Sequence, residues 1–202
     1  KTKLPARPGI SVKLSALHPR YEATKRARVL EELVPRVLDL AREAKALDLG
    51  FTVDAEEADR LELSLEEIAR VAADPSLAGW EAFGLAVQAY QKRAPAVIAW
   101  VADLAAALDR RMMVRLVKGA YWDTEVKRAQ ERGLADYPVL TKAGIIVGLG
   151  ETNDEVVETM RDLRAHGVDV VTSGQYLQPS ARHARIDRWV HPDEFRWFRE
   201  QG

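Results

Sequence analysis

Four segments of the chain put a charged or amide side chain into an otherwise apolar, β-branched run. Lys13 lies in ISVKLSAL, Asp54 in FTVDA, Gln88 in FGLAVQAY, and Arg115 with Lys118 in MMVRLVKG. A charge inside an apolar strand is costly unless it meets an opposite charge or a ligand. Asp54 set between Lys13 and Arg115 meets that requirement. Two chemistries fit such a set: an ion-pair network closing one end of a sheet, or a ligand site built at strand ends.

The elements that must position these residues are legible as a repeated pattern. Apolar runs begin near Ile10, Phe51, Phe83, Met112, Ile145 and Val168, each short enough to be a buried parallel strand. Between the first two, Val29, Leu30, Leu33, Val34, Val37, Leu38 and Ala41 recur at helical spacing, with Gly50 as a stop. Ser64 with Glu67, and Thr152 with Glu155, read as capping boxes opening two further helices. Pro95 suits the first turn of another helix, and residues 123–132 fit one that ends at Gly133. Strands alternating with helices argue for right-handed βαβ units and a parallel sheet, open or curled. A closed barrel takes eight such units and about 250 residues. The expected fold is therefore α/β of (βα) barrel type, an incomplete TIM-like barrel with about six parallel strands.

Composition bounds the function classes. The chain has 202 residues, 47% hydrophobic, and 30 basic against 31 acidic side chains give a formal net charge of -1. Nothing there drives binding to nucleic acid or an anionic membrane. No apolar run is long enough to cross a bilayer, and KTKLPARPG lacks the apolar core of a secretion signal, so a cytoplasmic protein is expected. With no cysteine, disulfides and the usual ligands of zinc and iron–sulfur clusters are absent. His18, His166, His183 and His191 show no metal-ligand spacing and are assigned to surface or capping roles. Arg110 and Arg111 read as a solvent-exposed pair at a helix end. The acidic group Glu56, Glu57, Asp59 and Glu62 fits either a solvated helix face or pairing with bases across a barrel mouth. Trp189, Phe195, Trp197 and Phe198 near the end are expected to be left exposed by an incomplete core.

Residues 1–141 carry ISVKLSALHPRY, FTVDAEEADRLE, LAVQAYQKR and RLVKGAYWDTEVKRAQERGLADYP. In content, order and spacing these strings resemble the proline dehydrogenase domain of bacterial proline-utilisation flavoenzymes. The resemblance implies a βα barrel with FAD across its mouth and oxidation of proline, the small-molecule substrate, to pyrroline-5-carboxylate. Carried over by position, Arg115 would approach the reactive edge of the flavin ring and Gln88 would hydrogen-bond it. Lys118, Gly119 and Trp122 would hold the phosphates and the adenosine side, Lys13 and Asp54 would lie under the substrate, and Tyr121 would wall the pocket. The paired arginines with which that family grips the substrate carboxylate have no recognisable counterpart in this sequence, so impaired turnover is expected.

From Lys142 the pattern changes. KAGIIVGLGETNDEVVETMRDLRAHGVDVVTSGQYLQPSAR resembles the C-terminal part of lipoyl synthase, which uses S-adenosylmethionine and iron–sulfur clusters. By that resemblance Gly148, Gly150 and Glu151 would lie beside S-adenosylmethionine, and Gln175, Tyr176 and Gln178 would line the next strand end. Without cysteine, neither cofactor is expected to function here. The chain therefore reads as a proline dehydrogenase-like segment over residues 1–141 joined to a lipoyl synthase-like segment over residues 142–202, packed on the same sheet. The alternatives to proline oxidation are a lipoyl synthase remnant or a non-catalytic chimeric βα scaffold.

Overall fold

Apolar strands alternating with amphipathic helices do pair in parallel, each pair linked by a helical crossover. The computed structural model describes residues 6–202, which fall into two compact units divided between Val139 and Leu140. In the first unit β1 (Gly9–Val12), β2 (Gly50–Val53), β3 (Phe83–Gln88) and β4 (Met113–Val117) form one parallel sheet in sequence order. The helices are α1 (Leu14–Leu17), α2 (Arg26–Ala46), α3 (Leu61–Ala72), α4 (Ala94–Ala107) and α5 (Trp122–Glu131). All six expected strands are present and parallel; they pair as this sheet of four and a second sheet of two.

Because side chains alternate across a strand, register sorts this sheet into two chemically different faces. Val12, Phe51, Val53, Phe83, Leu85 and Val87 point one way and are buried against Val29, Leu33 and Val37 of α2, Ile68 and Val71 of α3, and Val97 and Val101 of α4. Phe51 and Phe83 stack there with ring centroids 5.8 Å apart. Burying each such side chain contributes roughly 1.5–3 kcal/mol. The other face carries Ser11, Thr52, Gly84 and Met113 in one row, and above it Ala86 beside Arg115. Gly84 is required in that row, since a Cβ there would overlap the backbone carbonyl of Met113.

The second unit contains β5 (Lys142–Val147), α6 (Asn153–Ala165), β6 (Val170–Gln175) and α7 (Pro192–Gln201), with β5 and β6 parallel. Its core is Val147, Val156, Val157, Val190 and Phe198. The capping box is formed as expected: Thr152 Oγ1 accepts the Glu155 N–H at 3.3 Å, and Glu155 Oε2 accepts the Thr152 N–H at 2.7 Å. Phe198 is buried, whereas Trp189 is 68% exposed and Trp197 38%.

Three local expectations are corrected. Ser64 and Glu67 do not open α3, which starts at Leu61; Ser64 Oγ donates to the Leu61 carbonyl at 2.9 Å. The buried stripe of that helix runs through Leu63 and Val71, and Glu67 lies four residues from each, so helical geometry carries its carboxyl inward. Arg110 does not face solvent: its guanidinium donates to the carbonyls of Leu77 and Ala72, both at 2.8 Å, while Arg111 stays outside against Glu81. His18 is buried, with Nε2 3.1 Å from Glu32 and Nδ1 accepting the Arg20 N–H at 3.2 Å. The other histidines hold local structure. His191 caps α7, His166 bonds the Asp162 carbonyl, and His183 bonds Ser180.

Candidate functional site

The polar face of the four-stranded sheet ends in a concavity lined by Lys13, Asp54, Gln88, Arg115, Gly119 and Tyr121, with Ala55, Ala86, Val117 and Ala120 between them. Arg115 and Ala86 come from within β4 and β3, and strand ends and the loops that follow supply the rest. Lys118 and Trp122 fall on the loop after β4 and the first residue of α5, outside that lining.

Arg115 is held from two sides. Nη1 donates to Ser11 Oγ at 2.7 Å, and Nη2 makes a hydrogen-bonded ion pair with Asp54. The expected partnership of Asp54 with Arg115 is therefore formed. Lys13 differs: among the described residues its ammonium has no ion-pair partner within 4 Å, so its charge faces the concavity uncompensated.

Gln88 is 3% exposed and saturates most of its amide within the protein. Nε2 donates to the Glu56 carbonyl at 2.8 Å. Oε1 accepts from the Tyr90 hydroxyl at 3.0 Å and from the Ala120 N–H at 3.2 Å. The Tyr90 oxygen in turn accepts the Tyr121 N–H at 3.1 Å. Tyr90 is not among the residues that sequence patterns single out; it lies in the turn that follows β3. Burial, with smaller effects from neighbouring charges, pushes its phenol up to about 12.

All four members of the acidic group beside this site have basic partners, Glu56 and Glu57 shielded from solvent and Asp59 and Glu62 exposed. Glu56 accepts the Ser15 N–H at 3.0 Å and bonds Arg60 at 2.9 Å. Glu57 lies 3.2 Å from Arg60 and 3.8 Å from Arg128, Asp59 lies 3.4 Å from Arg128, and Glu62 lies 3.2 Å from Arg93. These bonds join the loops after β1 and β2 to α4 and α5.

In chemical terms the concavity offers a fixed guanidinium, an ammonium and an amide N–H beside a carboxylate. The set suits a planar, electron-accepting ring on which negative charge develops as it is reduced, because cations and fixed donors stabilise such charge. It therefore fits a flavin.

In the second unit the glycine-rich turn after β5 is filled by its own chain. Glu151 accepts the N–H groups of Gly148 at 2.5 Å and Leu149 at 2.9 Å. Burial pushes its carboxyl up, but these amides and Arg188 together hold it below the ordinary range. Gly150 has a φ of 112° in the same turn. Gln175 bonds the carbonyls of Tyr176 and Arg188 and the N–H of Val190, and Gln178 bonds the carbonyls of Ser180 and His183. Both amides thus serve the backbone.

Comparison with known proteins finds two kinds of relative. The family model described as proline dehydrogenase matches residues 1–144. Bifunctional protein PutA of Salmonella typhimurium is 56% identical over 135 residues, which is 67% of this chain and 10% of that protein. A crystal structure of a mutant Bradyrhizobium japonicum proline utilization A matches at 60% identity with a TM-score of 0.68, covering 86% of this chain and 17% of its own. Lipoyl synthase of an Azoarcus species is 59% identical over 64 residues, 32% of this chain and 20% of that enzyme. The chain thus spans about a tenth of the curated PutA protein it matches.

Proposed function

The chain belongs to the proline dehydrogenase family, and on that footing we propose that residues 9–122 form the flavin-facing part of a centre that oxidises proline to pyrroline-5-carboxylate. That family is FAD-dependent. The observation that carries the reading is the convergence of Arg115, Lys13 and the Gln88 amide on one concavity at the strand ends.

When bound, FAD supplies the acceptor for the two electrons that proline loses as a ring C–N bond becomes C=N. The protein's own contribution is electrostatic and positional. Arg115, fixed by Ser11 and Asp54, keeps a positive charge at the site through turnover and needs no reorganisation. Gln88, with both lone-pair directions of Oε1 occupied, presents an N–H donor. Lys13 and Asp54 provide opposite charges for a zwitterionic amino acid, and Tyr121 walls the pocket beside them. Lys118, Gly119 and Trp122 are assigned to the phosphate and adenosine side, where a lysine and backbone amides suit a pyrophosphate.

Residues 1–141 then constitute the flavin-binding segment. Residues 142–202, similar to lipoyl synthase, form a βα unit with its own two-stranded sheet; with no cysteine in the chain and Glu151 seated on the turn amides, we assign it no S-adenosylmethionine or cluster chemistry.

The test is to load the purified full chain with FAD and add proline without oxygen. Retained flavin that proline bleaches, with retention lost in Arg115→Ala, is the expected result. A parent protein that retains no flavin and is indistinguishable from Arg115→Ala would overturn the proposal.

A further inference from the structure

The amide of Gln88 has only one possible orientation. Its Nε2 lies against the Glu56 carbonyl, which can only accept, and its Oε1 lies against the Ala120 N–H, which can only donate. Exchanging the two atoms would set donor against donor and acceptor against acceptor. The Tyr90 hydroxyl is constrained in the same way. The Tyr121 N–H can only donate to it, so the phenolic proton must go to Gln88 Oε1. With its ionisation pushed up to about 12, Tyr90 keeps that proton throughout the neutral range.

The same ring also sets the shape of the loop after β4. Gly119 has a φ of 119°, and a Cβ there would overlap the Tyr90 ring edge, so the loop backbone rests directly on the aromatic ring. Ala120 and Tyr121, the next two residues, are both tied into the network through their N–H groups. The Glu56 carbonyl and the Ala120 N–H fix the amide polarity of Gln88; Tyr90 adds a second donor to its Oε1, and its ring and hydroxyl together set the path of residues 119–121.

We propose that Tyr90 is a positioning residue for cofactor binding. It occupies the second lone pair of Gln88 Oε1, reinforcing Gln88 as a donor with one Nε2 proton left for an acceptor atom on the edge of the flavin, and it locks the loop that carries Gly119 and Tyr121. This inference rests on the flavin reading above and deepens it. The ligand atom it specifies is a ring carbonyl oxygen or unprotonated ring nitrogen, not a ring N–H.

The test uses the full chain and the variant Tyr90→Phe, which keeps the ring beneath Gly119 and removes only the hydroxyl. Two measurements are made. Amide hydrogen exchange on the flavin-free protein follows residues 118–122, and titration with FAD follows affinity and the visible spectrum of the bound flavin. Losing one neutral hydrogen bond and leaving a second donor unpaired corresponds to about a tenfold weakening of FAD binding. The expected result is faster exchange at 118–122, that loss of affinity, and a shifted flavin spectrum, with only the small fall in thermal midpoint that the two lost hydrogen bonds entail. A merely structural tyrosine would lower the midpoint and leave the spectrum of the residual bound flavin unchanged, and that result would overturn the proposal. Unchanged exchange in Tyr90→Phe would also overturn it, whatever FAD does. If Gln88→Ala and Arg115→Ala weaken FAD binding and Tyr90→Phe does not, the flavin reading stands and the role of Tyr90 falls. If the parent binds no FAD, the flavin reading itself fails and takes this inference with it.

Discussion

Glu125 on α5 accepts the backbone N–H of Ala58 at 2.7 Å, across 67 residues of sequence, and both partners are buried. The bond ties the loop after β2, which contains Asp54 and Glu56, to the helix that follows Lys118 and Gly119. Two walls of the site are thereby braced against each other by one carboxylate. Replacing Glu125 with alanine leaves a buried N–H without an acceptor, which costs about 1–3 kcal/mol. Glu125→Gln keeps an acceptor oxygen and should lose less than half of that. Urea unfolding of the two variants beside the parent measures the difference.

Glu67 has both carboxylate oxygens buried and without a hydrogen-bond partner. Burial raises its ionisation from 4.5 to about 8, with Arg70 pulling down and Glu66 pushing up more weakly. Folded and unfolded chains therefore bind the proton with different affinity, and the folded chain binds it more tightly. The contribution to stability is fully present below about pH 4.5 and is lost as pH rises through about 8. A shift of that size corresponds to a loss on the order of 5 kcal/mol across the window. Thermal melts of the parent should fall between pH 6 and pH 9, and those of Glu67→Gln should fall distinctly less. Parallel curves for the two proteins would show that Glu67 is not the titrating group.

What could be read from the sequence and what could not divides along physical lines. The strands were legible because apolar β-branched runs of four to six residues have few other uses, and the Thr152 cap because no competing apolar stripe crosses it. Ser64 and Glu67 carry the same letters as that cap, yet α3 begins three residues earlier because the stripe through Leu63 and Val71 sets the helix phase. Strand-end charges identified Lys13, Asp54 and Arg115 individually, and register then brought them onto one face. The Tyr90 network was illegible for a different reason. Its partners are backbone groups of Glu56, Ala120 and Tyr121, and backbone hydrogen bonds leave no residue-type signature.

Gly84 and Gly174 are both strand glycines with opposite tolerance. A Cβ at Gly84 would penetrate the Met113 backbone, whereas nothing lies within 4 Å of a Cβ at Gly174. Gly84→Ala must push β4 away from β3 and disrupt the sheet, so it should yield little folded protein or lose at least about 3 kcal/mol, the range of severe overpacking. Gly174→Ala should be neutral or stabilising by up to about 1 kcal/mol, since alanine restricts the unfolded chain. Soluble yield and thermal midpoints of the pair decide this.

Asp54 offers a way to separate stability from function at the site. Its ion pair with Arg115 is partly open to solvent, the arginine side chain being 48% exposed and the aspartate 20%. Pairs so exposed contribute about 0–1 kcal/mol to folding, so Asp54→Ala should shift the thermal midpoint by no more than a few degrees. The functional effect is predicted to be larger, because Arg115 would keep only the Ser11 hydroxyl as an anchor and lose the orientation that aims its charge at the strand ends. A loss of one charged hydrogen bond of about 1.5–3 kcal/mol in positioning corresponds to a ten- to hundredfold weaker interaction with a bound flavin. FAD titration and thermal melts of Asp54→Ala, Ser11→Ala and the double variant would measure this. If Arg115 is the group being held, the two losses in affinity will couple, the double variant losing less than the combined single effects. Independent losses would mean that Asp54 contacts the ligand directly instead of acting through Arg115.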